Sequence, residues 1–398
     1  MRKNLFIGAF ALISCSPLYA GDYLTNTNQH AAFLRMAARG ASIDIDGAYS
    51  NPAGLAFLQK DGFFLSLTGQ SAYQTREIHA TSPLWTMDGQ NTTQYFKGTA
   101  SAPIIPSFHG AYKKNKWVVS AAFAITGGGG KASFSNGLPM FNALATGLIS
   151  QKTGGMVKPN MYRINSAMDG KQYIYGFQLG ASYRINDWVS VYAGGRMNYF
   201  TGGYEGFLNA SLTDDYKAMA PALGLPDATL ASIDLKCDQQ GWGVTPILGA
   251  DFKWNKLNIG LKYEFKANLN IENNTKINSL RMIGAPESEL EDYKHGVNTP
   301  NDIPAMLSVA AAYEFLPVLR ASVEYHFYDD KNAGMAGGKQ KFLTKGTNEY
   351  LAGIEWDVIK RLTLSGGVQF TDYGLSDDYQ SCLLYTSTSP RDRSLSRM

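Results

Sequence analysis

The sequence of 398 residues predicts an all-β protein, a transmembrane antiparallel β-barrel. Three observations predict it. Apolar and aromatic residues alternate with small or polar ones in many segments of ~10 residues or more, the length a tilted strand needs to cross a bilayer. The connections between these segments are alternately short and long, the arrangement of barrels with short periplasmic turns and long extracellular loops. Aromatic residues gather beside the short connections, where amphipathic rings sit well at a membrane interface. The composition agrees. Only 17% of residues are charged, 12% are aromatic and Gly occurs 41 times. A mean hydropathy of −0.20 is too polar for a bundle of membrane helices, and no apolar run reaches the ~18 residues of a membrane-spanning helix. The net charge of +3 is small for the length and gives no reason to expect a nucleic-acid partner.

Residues 1–20 read as a signal peptide. Arg2 and Lys3 are basic, Leu5 to Ile13 is an apolar core too short to span, and Leu18-Tyr19-Ala20 offers a cleavage site before Gly21. Lipidation at Cys15 is the competing reading; a new unit that begins after Ala20 favours ordinary cleavage. Only Cys237 and Cys382 then remain, far apart, and no structural disulfide is expected.

Residues 21–62 do not alternate. Ala31 to Gly40 is helix-prone, and a Gly- and Ala-rich stretch leads into Asn51-Pro52-Ala53-Gly54. Asn bonds its own neighbours in a turn, and Pro removes one N–H donor. Both suit irregular backbone packed inside a barrel, the one place such backbone survives at membrane depth. The segment is expected to be an N-terminal hatch in the lumen.

The barrel is expected over 63–380, with eleven strands at about 63–76, 100–112, 117–126, 172–184, 188–202, 242–254, 257–270, 301–315, 318–328, 348–356 and 361–372. In the strands at 173–183, 189–199, 257–265, 307–315 and 319–327 the odd-numbered residues face lipid. The other register would put Arg196, Lys262, Glu264, Arg320 and Glu324 into hydrocarbon. The alternation stops near Ser381, and Cys382 to Met398 is Ser/Arg-rich and reads as a non-native tail; the barrel is expected to be C-terminally truncated.

In Gly40-Ala41-Ser42-Ile43-Asp44-Ile45-Asp46-Gly47, followed by Ala48-Tyr49-Ser50-Asn51-Pro52-Ala53, the chain resembles the FadL-type outer-membrane transporters of long-chain fatty acids and other hydrophobic compounds. Asp302-Ile303-Pro304-Ala305 opening a long strand, Tyr313, and the Tyr325–Asp330 run are similar to that family as well. The resemblance covers about 21–380. It implies a fourteen-stranded barrel, about eleven strands of which lie in this sequence. It further implies passive uptake of a hydrophobic small molecule across the outer membrane of a Gram-negative bacterium. The ligand would be captured by extracellular loops and released sideways through the wall. Outer-membrane lipid and the barrel-assembly machinery would be its partners.

Two places are candidates for that work. The expected loop Gly203–Gly241 contains Phe207, Leu208, Leu212, Tyr216 and Met219, which would form a ligand groove or a small helical core. Gly127-Gly128-Gly129 lies where the third strand is expected to end and would allow a kink beside a lateral opening, or simply start a flexible loop. No catalytic set, zinc spacing or Gly-x-Ser-x-Gly elbow is present, so the chain is read as a non-enzyme without metal or cofactor. A haem-binding receptor is the alternative, since His109 and His326 fall on the lumen-facing register and an inward His is able to ligate iron.

Overall fold

A computed structural model describes residues 30–87, 90–359 and 362–376. The signal peptide, Cys15 and the tail from Cys382 lie outside the described residues. The described chain forms one antiparallel sheet. Its main path runs β1 (Gly62–Met87), β2 (Gln90–Lys114), β3 (Trp117–Phe134), β4 (Tyr162–Arg184), β5 (Val189–Leu212), β6 (Thr229–Trp254), β7 (Leu257–Glu264), then β10 (Met306–Leu316), β11 (Leu319–Tyr328), β12 (Thr347–Ile359) and β13 (Leu362–Asp372). Those are the eleven expected wall strands. Two more, β8 (Asn270–Met282) and β9 (Asn298–Pro300), lie off this path, with β8 pairing the upper part of β6.

The barrel faces follow the charge argument. Phe177, Leu179, Met197, Tyr199, Tyr263, Leu307 and Val323 are exposed on the outside, while Gln178, Arg196, Asn198, Lys262, Glu264, Glu324 and His326 are buried on the inside. On β6 the exposed large apolar residues are Trp242, Val244, Leu248, Phe252 and Trp254. The two tryptophans are twelve residues apart, ~40 Å along a strand at ~3.3 Å per residue. A tilt of ~40° makes that ~30 Å of depth, the thickness of a bilayer core. Exposed Trp117, Trp188, Trp254, Phe315 and Trp356 form a girdle at the short-turn end.

Several strands exceed their expected bounds, and the reason is common to all. Beyond the level of Trp242 the outward face meets water, so the apolar alternation that marks a lipid-facing strand fades while the hydrogen-bonded ladder continues. Thus β4 begins at Tyr162, β5 continues to Leu212 and β6 begins at Thr229. The expected loop 203–241 is mostly strand. In the opposite direction β7 ends at Glu264, because Phe265 to Leu269 leaves the ladder and bridges Ala267 to Ile303.

The sheet wraps around residues 30–58. This segment contains α1 (Ala31–Arg35) and two short 3-10 turns, Ile45–Ala48 and Pro52–Phe57. It touches the inward face of every wall strand. His30 Nε2 meets Ser66 Oγ of β1 at 2.9 Å. Ala48, Tyr49, Leu55 and Ala56 pack on Ala111 of β2 and on Val118 and Ala122 of β3. Gln178 Nε2 of β4 donates to the Ala48 carbonyl, Ser190 Oγ of β5 to that of Ala53, and Lys262 Nζ of β7 to that of Tyr49. Asn51 Nδ2 donates to Asp251 Oδ2 of β6 at 2.6 Å. The Gly40 N–H donates to Glu324 Oε2 of β11 at 2.7 Å, and Arg35 pairs with Glu355 of β12 at 2.6 Å. Gly40 lies against Ala310 of β10, and Gly367 of β13 lies against the Ala37 backbone. A Cβ on Gly260 would stand 2.0 Å from the Gly40 carbonyl oxygen, so backbone meets backbone there. Among the described residues β1 and β13 do not pair with each other, and α1 contacts both.

Candidate functional site

Inside the wall the charges are matched rather than scattered. Arg196 makes two 2.7 Å bonds to Glu264, and Lys262 lies 3.0 Å from the same carboxylate. Both cations sit over the Tyr49 ring, at 4.5 and 4.9 Å from its centroid. Within the segment itself Arg39 grips Asp46 through bonds of 2.6 and 2.8 Å. His326 bonds Glu324 through Nε2 at 2.5 Å and Glu349 through Nδ1 at 2.7 Å. Its two nitrogens are therefore both engaged, and His109 is fully buried with its ring 5.0 Å from that of His30. Neither offers an accessible nitrogen to a flat macrocycle, so the geometry gives the haem alternative no support. Among the described residues no cluster of three or more His, Cys, Asp or Glu is placed to hold a metal ion.

The wall is interrupted between β2 and β3. Their pairing holds from Phe108↔Phe123 to Lys114↔Trp117 and again from Gly98↔Phe134 to Ser101↔Lys131. Between these stretches residues 102–107 and 124–130 form no β2–β3 pairs. Both sides of the interruption have a cause in the sequence. Pro103 and Pro106 in β2 lack an N–H to donate. In β3, Gly128 and Gly130 take φ of +92° and +79°, a region that excludes ordinary side chains, and the register against β4 slips twice, between Ile125 and Gly130. Gly127, Gly128 and Gly129 thus lie inside β3 as a bulge, not past its end. The prolines opposite them are the part of the signal that sequence reasoning missed.

At the long-loop end the lumen-side face of β4, β5, β6 and β8 is apolar and is covered by a helix, α2 (Pro139–Lys152). Between them lies a cavity of about 290 Å³. Its lining is mainly apolar and includes Phe141, Leu144 and Leu148 of α2, Ile233 of β6 and Leu280 of β8. Phe207 and Leu208 line it, as part of β5 rather than of a loop. Leu212, Tyr216 and Met219 do not. Leu212 and Tyr216 belong to an adjoining core with Ile149, Tyr162 and Leu230, and Met219 ends a 3-10 turn. The sequence leaves a ligand groove and a small core open for these residues, because apolar content alone does not decide between the two. Sequence reasoning missed α2, although Phe141, Leu144, Ala145 and Leu148 follow i, i+3, i+4, i+7. Asn51 caps the 3-10 turn that starts at Pro52, and Ala53, like Leu55, is fully buried. Near the cavity mouth, burial holds the Asp292 carboxyl above its ordinary range, with Glu291 adding to the effect.

These features define a class: a transmembrane β-barrel of the outer-membrane type, occupied by its own N-terminal segment, with an interrupted wall and an apolar cavity at the long-loop end. The fold is that of the FadL-type barrels. No family model and no curated protein sequence matches the chain. Among solved structures, the chain is similar to a Pseudomonas aeruginosa FadL homologue, at 13% identity and a TM-score of 0.60 over 89% of this chain and 82% of the other. It is similar to the Pseudomonas putida toluene transporter TodX, at 14% identity and a TM-score of 0.55 over 88% and 86%. The Ralstonia pickettii toluene transporter TbuX aligns at 15% identity and a TM-score of 0.53 over 85% of each chain. At such identities the likeness is one of fold.

Proposed function

We propose that this chain is a channel of the Gram-negative outer membrane for passive uptake of hydrophobic small molecules, and that it is not an enzyme. The observation that carries the reading is the pairing of an apolar cavity at one end with a broken wall below it, in a barrel whose lumen is filled. A filled lumen leaves no straight aqueous pore, and a solute that reaches an interrupted wall meets lipid. The ligand enters the α2 cavity from outside, with Phe207 and Leu208 among its contacts. Residues 30–58 act as the hatch, held by the turn at Asn51, Pro52, Ala53 and Gly54. The ligand leaves sideways where Gly127, Gly128 and Gly129 face Pro103 and Pro106. Structural neighbours described as toluene transporters support the hydrophobic class. Long-chain fatty acids are the long end of that class, implied by the sequence resemblance.

The reading is tested by uptake of radiolabelled toluene into cells that carry the full chain in their outer membrane. Leu148→Asp puts a charge in the cavity and should lower uptake at least tenfold while the folded barrel persists on unheated gels. Uptake unchanged by Leu148→Asp would remove the cavity from the route.

A further inference from the structure

Tyr204 of β5 lines the cavity, and its hydroxyl accepts a 2.8 Å bond from Gln172 Nε2 of β4. Gln172 is only 6% exposed, and its Oε1 receives no hydrogen bond among the described residues. The position of Gln172 is particular. It pairs with Gly130 in the β3 bulge, and its carbonyl oxygen lies 2.3 Å from where a Cβ on Gly128 would stand. The side chain of this residue therefore bonds a lining residue of the cavity, and its backbone abuts the kink that separates β3 from β2. The next inward residue down β4, Ile174, belongs to an apolar cluster with Phe200, Leu269, Ile271 and Ile303. The charged residues of the cavity stand at its rim. Lys152 is exposed at the end of α2, and Glu205 pairs with Lys236 at 2.8 Å.

We propose that Gln172 and Tyr204 form a polar threshold between the cavity and the wall interruption. It passes neutral molecules, favours those with a hydroxyl, and turns back ionised carboxylates. This rests on the reading of the cavity as the capture site and narrows its ligand class. A buried acceptor without a donor gains a bond when a ligand hydroxyl arrives. A plain hydrocarbon crosses without that gain. An ionised carboxylate has no proton to give to that acceptor, and the lysines level with it, Lys131 and Lys171, are more than half exposed and paired with Asp169 and Asp238, so it does not recover the cost of leaving water.

The test compares uptake of radiolabelled 1-dodecanol, dodecane and dodecanoate at pH 8 by cells carrying the full chain. Wild type should take up dodecanol at least tenfold faster than dodecanoate, and faster than dodecane. Gln172→Leu should abolish the advantage of alcohol over hydrocarbon. Gln172→Lys should raise dodecanoate uptake at least tenfold and lower that of dodecanol. Unheated gels report whether each variant is folded, and wild type alone tests the acid-against-alcohol ratio if a variant is not. Dodecanoate taken up as fast as dodecanol by wild type, or an alcohol advantage that survives Gln172→Leu, overturns the threshold. The capture reading fails separately: Leu148→Asp would then leave all three probes unchanged, whatever Gln172 does. A wild type that takes up none of the three overturns both.

Discussion

Leu248 lies on the outside of β6, six residues from exposed Trp242 and six from exposed Trp254. Six residues are ~20 Å along the strand, or ~15 Å of depth at a tilt of ~40°. Leu248 is therefore at the midplane. Leu248→Lys should cost about 3 kcal/mol, the middle of the ~2–4 kcal/mol for a lysine there. Phe252 is four residues nearer the short-turn girdle, ~10 Å shallower, and a lysine there can snorkel, at a cost of ~1 kcal/mol or less. The folded-to-unfolded ratio should fall by ~150-fold for Leu248→Lys and by about fivefold for Phe252→Lys, at ~1.4 kcal/mol per tenfold. Urea titrations of the protein refolded into phospholipid vesicles, followed by gel mobility, measure both. A Phe252→Lys variant as unstable as Leu248→Lys would refute the placement of the girdles and the register derived from them.

Arg196→Leu should destabilise the protein by about 3 kcal/mol, the low end for a broken buried pair, because Lys262 still faces Glu264; chemical denaturation reads the loss. Asn51→Ala leaves the buried Asp251 carboxylate with Asn258 as its remaining side-chain donor and should cost ~2 kcal/mol, seen as faster limited proteolysis within residues 30–58. Gly128→Val would press a Cβ against the Gln172 carbonyl at φ +92°, so β3 must move; toluene uptake should change several-fold while the barrel still folds, and unchanged uptake would separate the glycine kink from transport.

The parts of the fold that the sequence displays are those where two solvents differ. Lipid outside and a polar interior forced Leu257 to Phe265 and Leu319 to Phe327 into alternation, and the strand positions followed. Above the girdle that contrast is absent. β8 carries Glu272, Asn273, Asn274, Thr275 and Lys276 in succession, a polar run that gives no strand signal, although its ladder to β6 is continuous apart from one bulge. The cavity depends on pairing distant apolar groups, such as Leu148 with Leu280, and no local pattern ties the two together. The turn at Asn51 and Pro52 was legible because Asn and Pro act on their own neighbours. The wall partners of residues 30–58 were not, because Glu324 and Glu355 lie 284 and 320 residues from the groups they hold.

Those separations bear on the order of assembly. Arg35 and the Gly40 amide are synthesised before any wall strand, yet their partners, Glu355 on β12 and Glu324 on β11, follow 320 and 284 residues later. Until then these groups keep their water, since dropping it without a partner is unfavourable. Hairpins such as β4–β5 close over short turns and form early, whereas contacts spanning most of the chain wait. Docking of the N-terminal segment is therefore a late event in folding, set by the arrival of Glu324 and Glu355. The chain stays open to its own first residues until its far strands are in place.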